Sequence, residues 1–226
     1  MERYINIHSH YLPPSDEEVW TIINIQERDY SFRPTTNFTS NLKGSLGIHP
    51  WYIDLLNYKN QLMKVESMLT QNQYVAIGEA GLDRNINTPL DLQIEIFTRQ
   101  IEWSEKYRLP MIIHCVRAFQ DIIAIKKKLN PQMSWIFHGF NHKKSFYQLL
   151  EDNGCYISIG TSILNSKSIL NSYFQDIDLS RLFLETDDKD ISIKTIYNKI
   201  MFLKSIDLES LISAFQKNYN KTFLKP

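Results

Sequence analysis

The chain has 226 residues, 43% apolar and 22% charged, enough to bury one substantial core and short for two independent ones. Its 25 basic residues balance 25 acidic ones, which excludes a broad electrostatic footprint on duplex nucleic acid and allows only local contacts. The two cysteines exclude a disulfide framework, MERYINIHSH holds no apolar signal segment, and no apolar window approaches the roughly 18 residues of a membrane span.

Eight apolar runs follow in chain order: YINIH (4–8), VWTIINIQ (19–26), GSLGIH (44–49), YVAIGE (74–79), LPMIIHC (109–115), SWIFHG (134–139), CYISIG (155–160) and RLFLET (181–186). Their length and their content of Ile, Val, Phe and Tyr predict strands. Continuous rather than alternating apolarity predicts strands covered on both faces, as in a parallel sheet. Helical stretches are predicted at 54–70, 88–107, 117–129 and 143–152. The second opens on Thr88 as N-cap with Pro89 at the first helical position, and carries a stripe of Leu92, Ile96, Phe97, Ile101 and Trp103. A helical pair, 192–204 and 207–220, closes the chain; Asp207 caps its second member, and Glu209 lies in the first turn, where the helix dipole favours an anion.

This alternation predicts an α/β chain with a TIM (β/α)8-type barrel; an open doubly wound sheet is the alternative. The first two runs are joined only by SHYLPPSDEE, too short for a crossover helix, so the first β/α unit is expected to be abbreviated. The polar, turn-rich stretch 27–43 reads as a loop. The expected organisation is one cytoplasmic domain over residues 1–226, with no membrane contact and no protein partner.

Five of the six histidines stand at the ends of these runs: His8, His10, His49, His114 and His138. His142 stands apart and reads as an ordinary hydrogen-bonded residue. The fourth run ends at Glu79, and the eighth in Glu185-Thr186-Asp187. In a parallel barrel all strand ends of one polarity converge on one rim, where barrel active sites lie. Alternation puts His8 and His10 on the same side of the first strand. Imidazoles and carboxylates gathered there form a metal constellation rather than a nucleophile triad, with His8, His10, Glu79, His114, His138 and Asp187 as candidate ligands. No G-x-S-x-G elbow, P-loop or G-x-G-x-x-G competes with this reading. Asp188 reads as a helix N-cap, Trp51-Tyr52 and Phe137 to Phe140 as core or rim packing rather than base-stacking platforms, Lys126-Lys127-Lys128 as a solvated helix face, and Cys115 and Cys155 as buried thiols.

The stretches NIHSH, GIHPWY, VAIGEAGLD, PMIIHC, FHGF and FLETD stand in the order and approximate spacing of the TatD-related metal-dependent deoxyribonucleases, among the amidohydrolase-like barrels. From Ile5 to about Phe223 the chain resembles that family. The resemblance implies two divalent ions (Mg, Mn or Zn): His8 and His10 hold one with Asp187, Glu79 bridges both, and His114 and His138 hold the second. It places His49 beside them as a substrate or leaving-group contact. Two motifs depart from the family pattern. Its H-x-R reads here His114-Cys115-Val116-Arg117, with the arginine one place later, and its Ser-Pro after E-T-D is replaced by Asp188-Lys189.

The expected activity is that of a divalent-metal-dependent hydrolase, a 3′-exonuclease-like deoxyribonuclease cleaving phosphodiester bonds with a metal-activated water. Glu79, Asp187 and His49 are the expected catalytic groups, with Asp187 as general base. His49 and Arg117 are the expected substrate contacts, and DNA ends or oligonucleotides the expected substrates. Two alternatives remain open from the sequence: the same centre acting on a small ester, lactone, amide or phosphotriester, and a non-catalytic binding module stabilised by metal.

Overall fold

In a computed structural model of the chain, the described residues are 3–12, 18–25, 38–70 and 73–224. The strands are β1 (Tyr4–Ser9), β2 (Val19–Ile25), β3 (Leu42–Leu46), β4 (Tyr74–Asp83), β5 (Met111–Val116), β6 (Trp135–Phe137), β7 (Tyr156–Ile159) and β8 (Leu182–Leu184). The α-helices are α1 (Tyr58–Leu69), α2 (Leu90–Tyr107), α3 (Phe119–Leu129), α4 (Lys144–Asp152), α5 (Ile193–Lys204) and α6 (Leu208–Phe223). The sheet has eight strands in the order β1 to β8, and every described pairing is parallel. By contact density the chain divides into two compact units, Met1–Ile23 with Ile136–Pro226, and Asn24–Trp135.

In the first unit β8 returns to β1. The Thr186 and Asp187 amides donate to the His8 carbonyl at 3.2 and 3.0 Å, and the His10 amide donates to the Asp187 carbonyl at 2.9 Å. Buried Asn6 and Thr186 lock this seam with reciprocal bonds: Asn6 Nδ2 to Thr186 Oγ1 at 2.9 Å, and the Thr186 amide to Asn6 Oδ1 at 3.1 Å. Ile5, Ile7, Phe183 and Leu184 of the two strands are buried, as are Ile196 and Tyr197 of α5 and Phe215 of α6. Asp207 caps α6 as expected, accepting the Ser210 amide at 2.7 Å, with Glu209 in the first turn. The cap of α5, however, is Ser192; Asp188 lies upstream of the helix and pairs with Lys189 at 3.0 Å. Between β7 and β8 the chain runs through four 3₁₀ turns within 161–181.

In the second unit β3, β4 and β5 pair side by side. Two buried glutamines of α2 fasten the strand ends: Gln93 accepts the Asp83 amide at 2.8 Å and donates to its carbonyl at 3.0 Å, while Gln100 does the same for Ile48 at 2.6 and 3.1 Å. Gly81 sits where β4 runs closest to β5, with φ +157°; a Cβ there would lie 1.9 Å from the His114 carbonyl oxygen. Helix α2 starts at Leu90 with Pro89 in extended conformation, so Thr88 falls one place outside its expected capping position. β3 ends at Leu46 and β4 runs on to Asp83, so His49 stands beyond its strand and Glu79 within one. Of the expected loop at 27–43, residues 42–43 belong to β3 and 27–37 lie outside the described residues. So do residues 13–17 of the short β1–β2 connection.

Candidate metal centre

In the first unit the site begins at the β1–β8 seam. His8 is fully buried at the end of β1, and His10 follows one residue beyond it. Asp187 follows β8 with a left-handed backbone (φ 53°), which turns its carboxylate onto both imidazoles: His8 Nε2 lies 3.5 Å and His10 Nε2 3.3 Å from Oδ1. Burial opposes ionisation of Asp187, but hydrogen bonds from His10 and His8 and the charge of His8 and His138 outweigh it and hold the carboxyl far below the usual carboxylate range. His138, just past β6, places its ring 4.6 Å from that of His8, and its Nδ1 lies 3.6 Å from Glu185 Oε1. Glu185 is fully buried, and its Oε1 accepts the Gly139 amide at 2.6 Å.

In the second unit a carboxylate again draws two imidazoles. His49 Nε2 and His114 Nδ1 lie 3.0 and 2.9 Å from Glu79 Oε1. The Glu79 amide donates to Asn24 Oδ1 at 2.8 Å, which fixes the backbone at this point of β4. His49 is the N-cap of the turn Pro50–Tyr52: its Nδ1 accepts the Trp51 amide at 3.1 Å, so the neutral ring carries its proton on Nε2, towards Glu79. His114 turns its other nitrogen to Asp83 Oδ2 at 3.2 Å, and the same oxygen accepts the Trp51 indole N–H at 2.6 Å. Burial works against the Asp83 carboxylate, yet the bonds from Trp51, Asn85 and His114 keep it below the usual range.

The donor sets His8/His10/Asp187, His138/Glu185/Asp187 and His49/Glu79/His114 each keep their ligand atoms within 4.8 Å of one another. Mixed imidazole and carboxylate donors at this spacing, oriented by backbone bonds and buried partners, fit a divalent ion. All six candidate ligands therefore fall in these sets, and His49 joins them. Asp83, bonded to His114, and Glu185, beside His138, went unassigned at the sequence level; their signal was their position inside GEAGLD and FLETD.

Arg117 lies outside the sets: it is exposed after β5 with φ 53° and makes no ion pair among the described residues. His142 packs its ring against Phe140 and Phe146 and belongs to none of these sets. Burial pushes the Cys115 thiol up to about 12, which disfavours the thiolate a metal would need. Phe137 and Phe140 are core residues, but Trp51 and Tyr52 are not, at 57% and 40% exposed.

A parallel (β/α)8-type strand order carrying His-x-His and further imidazole–carboxylate sets on its strand ends defines a metal-dependent hydrolase of the TIM-barrel class. The model of the TatD-related DNases matches residues 14–224, and the chain belongs to that family. A metal-dependent hydrolase of Buchnera aphidicola (subsp. Baizongia pistaciae) is 30% identical over 82% of this chain and 76% of its own. The 3′–5′ ssDNA/RNA exonuclease TatD of Klebsiella pneumoniae is 28% identical over 73% and 63%. Among solved structures, the TatD homologue YJJV of Escherichia coli K12 superposes with a TM-score of 0.81 at 21% identity, over 100% of this chain and 99% of its own, and shares the fold. No helix among the described residues is long and apolar enough to cross a membrane.

Proposed function

We propose that the chain is a metal-dependent nuclease that shortens DNA ends or oligonucleotides from the 3′ side, with residues 1–226 acting as one catalytic domain. His8, His10, Glu79, His114, His138 and Asp187 would supply the ligands of two divalent ions; magnesium, manganese and zinc all suit such donors. The observation that carries the reading is the convergence of His8 and His10 on one oxygen of Asp187. The relative bearing the exonuclease name supports the substrate class. A cytoplasmic setting belongs to the same reading, supported by the thiols of Cys115 and Cys155.

Bound divalent ions lower the pKa of water towards neutrality and neutralise charge developing on a phosphoryl group. The chain's own groups do the rest. Asp187 stays ionised and can take a proton from the attacking water as general base. His49 holds a proton at Nε2, from which it can donate to a phosphate oxygen. Asp83 bonds the far nitrogen of His114, so this ring is preorganised, while the Glu185 carboxylate lies 3.6 Å from His138 Nδ1. Arg117, exposed beyond β5, offers the charge for a phosphate further along the strand.

The test is the Asp187→Asn variant against a 5′-labelled single-stranded oligonucleotide with manganese. Asparagine tolerates the left-handed backbone as aspartate does, so the fold is retained. The expected result is loss of stepwise shortening by at least about 100-fold in a variant that still folds, with a lower melting temperature because the bonds to His8 and His10 are weakened. Undiminished shortening by the variant removes Asp187 from the reaction.

A further inference from the structure

Trp51 is a large side chain at the second unit's site that the proposed chemistry does not use. It is 57% exposed, yet held at both ends: its indole N–H donates to Asp83 at 2.6 Å and its backbone N–H to His49 at 3.1 Å. Asp83 is itself 1% exposed and firmly set, with its other oxygen accepting the Asn85 amide at 2.7 Å and its backbone bonded to Gln93. A tryptophan normally hides its large apolar faces. Here the polar edge is satisfied by a buried carboxylate while more than half of the residue faces water. The ring stands edge-on to His49 at 5.2 Å and to His114 at 5.9 Å, and Tyr52, 40% exposed, lies 5.5 Å from His49 on a tilt.

We propose that Trp51 is a stacking platform for a nucleobase at the end of a single strand, seating the strand beside the His49–Glu79–His114 set. The proposal rests on the nuclease reading and adds the recognition element which that reading lacks. A chain of zero net charge has little long-range attraction for phosphates, and stacking supplies affinity without charge. Because every base has a π-face, Trp51 selects unpaired ends without selecting sequence.

The test compares wild type, Trp51→Leu and Trp51→Phe on two oligonucleotides with manganese, one complete and one lacking the bases of its 3′-terminal nucleotides. On the complete strand Trp51→Leu is expected to raise KM about tenfold, the effect falling on KM rather than kcat, and Trp51→Phe to raise it less. On the abasic strand the three proteins are expected to share one KM. A second readout needs no turnover: in EDTA the complete strand quenches tryptophan emission of the wild type, and Trp51→Phe loses that quenching, since Trp103 and Trp135 are fully buried and the half-buried ring of Trp20 is packed against Tyr219 and Arg3. If the wild type shortens the strand but Trp51→Leu has the same KM ratio on both substrates, or quenching survives in Trp51→Phe, the stacking assignment fails alone. If the wild type neither binds nor shortens either strand, the nuclease reading fails and takes this one with it.

Discussion

Gly81 shows how narrowly the residue scale is constrained. The β4 and β5 backbones approach so closely there that any Cβ collides with the carbonyl of His114 at 1.9 Å, an atom that no rotamer can move. Gly81→Ala is therefore expected to cost more than about 4 kcal/mol and to leave little folded protein by circular dichroism. Gly154→Ala is the comparison: its φ is +70°, in the left-handed region, but nothing lies within 4 Å of a Cβ, so it is expected to cost only ~1 kcal/mol. Similar melting of the two variants would show that the close approach at Gly81 is not a constraint. The candidate histidine ligands were legible in the sequence because an H-x-H pair and single histidines at strand ends have few other reasons to recur. The carboxylates behind them were not. Asp83 and Glu185 drew no assignment from the sequence, because their places beside His114 and His138 show only in the distances. Trp51 likewise read as packing, because its exposure depends on a bond to Asp83 that no spacing announces.

At the scale of elements, the helices followed their apolar period to within a few residues, and Asp207 capped α6 as its position implied. Strand boundaries were less legible. Glu79 ends an apolar run, but β4 continues through Ala80, Gly81 and Leu82 to Asp83, because small residues let β5 pair alongside. The four short turns between β7 and β8 carry no period that could have marked them. What anchors this region is Asn218 of α6, whose buried Nδ2 donates to the carbonyls of Leu179 and Leu182 at 2.7 and 2.9 Å. Asn218→Ala strands both carbonyls and is expected to lower stability by about 2 kcal/mol, read as a lower denaturation midpoint with an unchanged slope. A loss within ~0.5 kcal/mol would mean that water or the helix packing replaces those bonds.

For the whole molecule, recurring strand-length runs between helical stretches were enough to indicate the barrel class, and the similarity to solved structures agrees with that reading. The division into two compact units was not legible, since no linker, composition shift or charge run marks Ile23 or Trp135. The first unit carries two imidazole–carboxylate sets and the second one, each with donors that fit a divalent ion. The central claim is that these sets are a metal centre on which hydrolysis depends. It is tested most directly by stripping the purified protein with EDTA, restoring manganese in steps, and following the shortening of a single-stranded oligonucleotide at each step. The account predicts no shortening by the stripped protein and a rate that climbs with manganese until about two ions are bound per chain. Undiminished shortening without metal, or a folded, manganese-loaded protein that shortens nothing, would contradict it.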